Sequence, residues 1–402
     1  MLCSVLMRRA PLLISLTLSA LAALFTLVGS ALPLRPADAQ PPLVRRVSLT
    51  GAPNALTDFH RALRAGRARV YVYGASHTAP DVYTGELRRR LQARFGDGGP
   101  GWVIPASPFP FYDHAQVTLG GTGWVGRKVR YREQRRDAYG LAGIALDASG
   151  QARARVRLRE GHSDRVAVHF LRQPGGGRLM LGVGGQMHAI DTAGPRRIAD
   201  SFEVALDEAV DDVSLRAEGR VRVFGLTLEQ QGGGVVVDAF GVPGARFRDQ
   251  EPWDEPTLRA QLRGRPPDLV AFAYGTNESD QRRVPIETYR EHLRAGLARW
   301  RRLAPRASCL LIGPGEWPRQ RSDGTLAPRR RTNQIIAVQR EEAQLSGCAF
   351  FDTFRMMGGE GSMTRWVAAD LAIEDHVHFT DEGYRRMGAE LHRALMEGFT
   401  PR

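Results

Sequence analysis

The sequence predicts an α/β fold: a parallel sheet covered by helices on both faces, interrupted by an all-β, sandwich-like insert. Two patterns carry this. On either side of the middle, compact apolar runs of buried-strand type alternate with stretches of helical periodicity. That alternation implies a parallel sheet with both faces covered. Between about residues 105 and 229 the pattern changes to short alternating runs ("ARARVRL", "RVAVHFL", "RLMLGVG", "FEVALDE", "RVRVFGLTLE") separated by Gly, Asp and Pro clusters. Many short strands with turn signals mark an all-β module. With 43% hydrophobic and 25% charged residues among 402, the chain has the composition of a folded body and not of a disordered one.

The elements follow in order. Residues 40–53 read as an extended lead. "NALTDFHRALRAG" is helical, with Gly66 as its stop. Residues 68–73 form the first strand. After Tyr83, Leu87, Leu91 and Phe95 fall four apart on one helical face, and Gly96 ends the run. Beyond the β region, "GVVVDAFG" and "PDLVAFAYG" are strands. A helix covers about 286–303, with Ile286, Tyr289, Leu293, Leu297 and Trp300 on one stripe. "SCLLIGP" is a strand, 331–346 a helix and "CAFFDTF" a strand; the final helix starts after Thr380 and runs to about 398. "RQRSDGTLAPRRR" reads as a solvated basic loop. "MGGEGSMTRW" (357–366) reads as a packed connector, or as a mobile loop offering Met363 and Trp366 to a substrate.

Charge narrows the surroundings. Lys and Arg number 56 against 43 Asp and Glu, for a net charge of +13 spread along the chain. Such a surface favours anionic surroundings such as cell-wall polymers or lipid headgroups. The absence of zinc-finger spacing and of an RNP-like strand weighs against nucleic acid. At the N-terminus, Arg8 and Arg9 precede an apolar stretch from Leu12 to about Leu32, and "ADA" precedes Gln40. Residues 1–39 therefore read as a signal peptide, or as an uncleaved membrane anchor. Either puts the body in the periplasm or outside the cell. Cys309 and Cys348 each open an apolar run; they are two buried small hydrophobes or a disulfide of an oxidising compartment.

In an open α/β sheet, sites gather beyond the C-terminal ends of the strands. Four such ends carry polar or glycine residues: Ser76 in "GASHT", Gly244 in "GVPGA", Asn277 in "YGTNESD", and Asp375 and His378 in "EDHVHFT". A nucleophilic serine needs a base, an acid to orient it and donors for the developing oxyanion. His378 offers the base and Asp375 the orienting acid. Asn277 offers an amide donor, and Gly244 and Ser76 offer backbone N–H groups. Taken singly, each has a plainer reading: Ser76 a helix cap, Gly244 a turn glycine, Asn277 a loop cap and His378 a packed or surface histidine. "DHVH" could also hold a metal through Asp375, His376 and His378, but no further Cys/His/Asp cluster of ligand spacing stands nearby. His77 reads as packing or support.

The four stretches, in this order and context, resemble the SGNH (GDSL-type) hydrolase superfamily. The resemblance covers roughly residues 70–110 and 230–398. It implies an SGNH-type three-layer, flavodoxin-like sheet, with Ser76, His378 and Asp375 as triad, Gly244 and Asn277 as oxyanion donors, and no cofactor. "SHT" with "YGTNE" and a β insert further resembles secreted bacterial esterases acting on O-acetyl groups of peptidoglycan or polysaccharide, whose insert helps hold glycan. The implied division is 1–39 leader or anchor, 40–104 and 230–402 catalytic domain in two parts, and 105–229 β insert. The implied partner is an acetylated glycan, including anionic cell-wall polymer. One departure stands out: the family carries Asp before the serine, where this chain has Ala75. The rival expectations are an esterase or lipase on small or lipid esters, an O-acetyltransferase using the same acyl-enzyme, and a glycan-binding protein with a decayed site.

Overall fold

The computed structural model describes residues 43–129 and 137–401. Expectations for residues 1–39 lie outside the described residues. Among the described residues, no helix is long and apolar enough to cross a membrane.

Five strands run parallel. In spatial order they are Ala349–Phe351, Ser308–Ile312, Leu269–Ala273, Arg67–Gly74 and Gly234–Gly241. Numbered along the chain among themselves, they lie in the flavodoxin-like order 2-1-3-4-5. A two-residue strand, Thr50–Gly51, closes one edge antiparallel to Ala349–Phe351. The strands are mostly apolar because both faces are covered. Val70 and Val72 enter one core with Leu87, Leu91 and Leu391, from helices Val82–Phe95 and Asp381–Met396. Tyr71 and Tyr73, with the opposite parity, enter the other core with Leu293, Leu297, Trp300 and Ile335, from helices Ile286–Leu303 and Arg330–Ser346. The period of two along the strand thus sorts side chains into the two outer layers. Cys309 and Cys348 form a disulfide between neighbouring strand starts, with Cα atoms 4.5 Å apart.

The β region folds as two antiparallel sheets. One runs Gln186–Asp191, Arg178–Val183, Asp212–Glu218, Ala152–Leu158, Val117–Thr122; the other runs Ile198–Val210, Ser163–Arg172, Val221–Glu229, Ile144–Ala148, Val125–Lys128. Ala152–Leu158 shows why: Ala152, Ala154, Val156 and Leu158 are buried, and Arg153, Arg155 and Arg157 face solvent. The pairing begins earlier than the sequence pattern suggested. Gly101–Val103, ahead of residue 105, joins Val221–Glu229. Trp102 there also donates its backbone N–H to the Asp238 carboxylate of the parallel sheet, at 2.7 Å.

A buried ion network joins the same regions. Arg265 donates to Glu229 and, at 2.5 Å, to Asp238, and Arg69 also donates to Glu229. Burial pushes the Glu229 carboxyl up, but Arg265 and Arg69 outweigh it and hold it down at about 2. Removing one partner of such a network costs ~3–5 kcal/mol, because a buried charge is left alone.

The expected helices are present, at Thr57–Arg64, Val82–Phe95, Ile286–Leu303, Arg330–Ser346 and Asp381–Met396. A further helix, Glu255–Gly264, was not expected. Asp254 caps it by accepting the Thr257 N–H at 2.9 Å. Met363 and Trp366 are fully buried, and the Trp366 indole donates to Leu43 and Met357 carbonyls. The stretch carrying them is a packed connector.

Candidate active site

The strand order reverses between Arg67–Gly74 and Leu269–Ala273, so a crevice opens there at the C-terminal ends. Ser76 sits just past the first of these strands. Gly74 permits the tight exit: a Cβ on it would collide with the Thr78 hydroxyl. The Ala75 carbonyl then accepts the N–H groups of Thr78 (3.0 Å) and Ala79 (3.1 Å), which forms the turn that presents Ser76. The hydroxyls of Thr78 and Tyr83, 2.8 Å apart, tie the turn to the following helix.

His378 Nε2 lies 2.8 Å from Ser76 Oγ, and His378 Nδ1 lies 2.6 Å from Asp375 Oδ2. The other oxygen, Oδ1, accepts the N–H groups of Val377 (2.8 Å) and His378 (2.9 Å). A carboxylate at Nδ1 fixes the proton there and leaves Nε2 free to accept from the serine. Partial burial pushes the Asp375 carboxyl up, but the His378 hydrogen bonds and the Val377 N–H outweigh it, and the group stays below its usual range. His376 takes a left-handed conformation, φ 57°, within the same turn. His77 Nδ1 pairs with the Tyr384 hydroxyl at 2.8 Å, and its ring centroid is 5.0 Å from that of His378. Burial, with the like charge of His378, pushes His77 down to about 3. A neutral His77 packs beside His378 without competing for its proton.

The other two expected residues meet on the adjoining loops. Gly244, at φ 77°, is exposed, and a Cβ there would meet nothing within 4 Å. Its loop is pinned to the serine strand by the Val242 N–H on the Gly74 carbonyl, 3.0 Å. The Asn277 side-chain amide donates to the Ala245 carbonyl at 2.8 Å. Among the described residues, the N–H groups of Ser76 and Gly244 take part in no hydrogen bond.

Two supporting groups were not singled out from the sequence. Glu278 is buried and cross-links the loops: one carboxylate oxygen accepts the Phe247 N–H (2.8 Å), the other the Gly275 N–H (3.0 Å). Burial pushes its carboxyl above the usual range, against those N–H groups and the charge of Arg246. Asp81, beyond the serine turn, pairs with the fully buried Arg88 at 2.8 Å, and Arg88 also donates to the Val237 carbonyl. Asp81 stands just before helix Val82–Phe95 and Arg88 within it, seven residues on. Glu278 stands directly after Asn277, and only its tertiary partners give it a role. Ala75 is buried and carries no acid; the hydroxyl pair and the Asp81–Arg88 tie brace the turn.

The family model described as GDSL-like Lipase/Acylhydrolase family matches residues 195–386. That range includes Gly244, Asn277, Asp375 and His378, while Ser76 lies ahead of the β region. A solved structure of a peptidoglycan O-acetylesterase superposes with a TM-score of 0.75, at 27% identity, over 87% of this chain and 99% of that one. The acetyl xylan esterase AlAXEase is 14% identical over 40% of this chain and 81% of its own, with a TM-score of 0.31. A family two carbohydrate esterase from Cellvibrio japonicus is 10% identical over 70% and 98%, with a TM-score of 0.29. These last two scores are too low to argue from. No curated protein sequence matches. Over these residues and in its fold the chain is similar to the GDSL-type (SGNH) hydrolases, and it is a carboxylic ester hydrolase.

Proposed function

We propose that the chain is a serine esterase that removes O-acetyl groups from a cell-envelope glycan such as peptidoglycan. The observation that carries this is the unbroken Ser76–His378–Asp375 chain of hydrogen bonds, in a fold matched over nearly its whole length by a peptidoglycan O-acetylesterase. Ser76 Oγ attacks the acetyl carbonyl carbon as its proton passes to His378 Nε2. Asp375 stabilises the imidazolium. The carbonyl oxygen, now an anion, takes hydrogen bonds from the N–H groups of Ser76 and Gly244 and from the Asn277 amide. Collapse expels the glycan oxygen, which leaves with the proton from His378. Water, deprotonated by the same histidine, then releases acetate and restores Ser76. No step calls for a cofactor.

In this reading residues 1–39 are a leader or anchor that delivers the enzyme to the periplasm or beyond. Residues 105–229 are an insert that holds glycan beside the two-part catalytic domain, 40–104 and 230–402. An esterase acting on small or lipid esters, and an acetyltransferase, would use the same groups. The test compares acetate release from O-acetylated peptidoglycan and O-acetylated xylan with fatty-acid release from a triglyceride. Turnover highest on the glycans supports the proposal; turnover confined to the triglyceride sinks it.

A further inference from the structure

Where the Gly244 and Asn277 loops meet, one charged side chain has no part in the reaction so far. Arg246 follows Ala245 in extended backbone, φ −117° and ψ 161°. Its side chain is half-buried. Nε donates to the Asn277 carbonyl at 3.4 Å, a long hydrogen bond. Among the described residues the two terminal nitrogens bond nothing, and no carboxylate pairs with the guanidinium within 4.0 Å. The acids nearby are engaged. Both oxygens of Glu278 hold the N–H groups of Phe247 and Gly275, and Asp249 accepts the backbone N–H of Arg246 at 2.8 Å.

Position gives this cation its meaning. Asn277 holds Ala245 with its amide and Arg246 with its carbonyl, so the guanidinium lies beside the loops offered as oxyanion donors. The next residue, Phe247, packs into the core on one side of the sheet, and Phe379, next to His378, packs into the core on the other. The backbone of Arg246 and that of His378 are thus anchored in the two different cores. A half-buried cation with no ion pair is costly, and a planar fork with both ends free is the arrangement that takes a carboxylate in two parallel hydrogen bonds. An arginine that only braced the loops would also commit its terminal nitrogens.

We propose that Arg246 is the specificity-determining residue of this site: it takes a carboxylate of the glycan that bears the acetyl ester, so the enzyme prefers acidic over neutral glycan. This rests on the glycan esterase reading and adds the charge of the substrate to it.

Two measurements test it. In the first, kcat/KM is read from acetate release on O-acetylated polygalacturonate and on O-acetylated xylan, for wild type and Arg246→Gln. The acidic-to-neutral ratio is expected to fall at least tenfold in the variant, mainly through KM, and the wild-type preference is expected to weaken with salt. In the second, unacetylated oligogalacturonate and xylo-oligosaccharide compete with 4-nitrophenyl acetate. The acidic oligomer should inhibit wild type at concentrations at least tenfold lower than the neutral one, and Arg246→Gln should lose that difference. The second measurement needs no glycan ester to be the substrate. If wild type released no acetate from any glycan yet showed Arg246-dependent inhibition by the acid, the carboxylate-binding role of Arg246 would stand and the glycan esterase reading would fall. Equal inhibition of wild type by the two oligomers overturns the proposal whatever the variant does. So does a variant that keeps the wild-type preference.

Discussion

Glu278→Gln isolates what the cross-link between the two loops does for the reaction. The substitution is nearly isosteric. It turns one acceptor oxygen into an NH₂ group, while the native pair takes N–H donors at both positions, Phe247 at 2.8 Å and Gly275 at 3.0 Å. One buried N–H must then face another donor. An unsatisfied buried donor costs ~1–3 kcal/mol, and at ~2–4 °C per kcal/mol for a large domain the melting point should fall by a few degrees. The sharper effect is on rate. Phe247 follows the Gly244 loop and Gly275 precedes Asn277, so releasing either loosens a proposed oxyanion donor. A misplacement near 1 Å costs ~10²-fold in rate. The assay is kcat and KM on 4-nitrophenyl acetate beside a thermal melt. The expected result is a kcat lower by about 10–10² with KM within a few-fold. A variant that melts lower but keeps the wild-type kcat would refute the reasoning and leave Glu278 a structural cap only.

The remaining predictions concern neighbouring groups. Asn277→Ala should lower kcat by roughly 10²–10³ with little change in KM, as for a donor used mainly in the transition state; equal kcat would remove it from the oxyanion site. His378→Ala should fall to the background level of Ser76→Ala, because triad members act as a unit, while His376→Ala should keep most activity; an exchange of these two behaviours would contradict the turn as described. Ala75→Asp should lower the melting point and leave kcat unchanged or reduced, since the site is buried and the turn is already braced by Thr78–Tyr83 and Asp81–Arg88. A stable Ala75→Asp variant with a tenfold higher kcat would mean that the alanine is a damaged position.

Much of the sheet was legible because its signals are local. A strand buried on both faces reads as an apolar run wherever it stands, and helices such as Ile286–Leu303 carry their stripe and their ends within one stretch. The candidate site residues, which the structure brings into contact, were legible for a related reason: glycine and polar residues stand past strands where such folds place chemistry. What escaped depends on partners distant in the chain. Arg265 pairs with Glu229 and Asp238 across sequence separations of 36 and 27, and nothing near Arg265 announces it. Thr50–Gly51 is a strand only because Ala349–Phe351 offers it an edge. Gly101–Val103 is too short to show alternation and is defined by Val221–Glu229 beside it. Helix Glu255–Gly264 did have local marks, in the Asp254 cap and the proline of its first turn. Its arginine-rich face concealed the apolar pair Leu258 and Leu262, which are buried.

The central claim is that Ser76 carries the acetyl group between the two half-reactions. Rapid quenching of the enzyme with 4-nitrophenyl acetate, followed by proteolysis and mass spectrometry, tests it most directly. The account predicts the added mass of one acetyl group on Ser76 in the peptide that holds it. The adduct should form far more slowly in His378→Ala, which lacks the base that activates the serine, and it should be absent in Ser76→Ala. Turnover that persists in Ser76→Ala, or an acetyl group found on another residue with Ser76 unmodified, would contradict it.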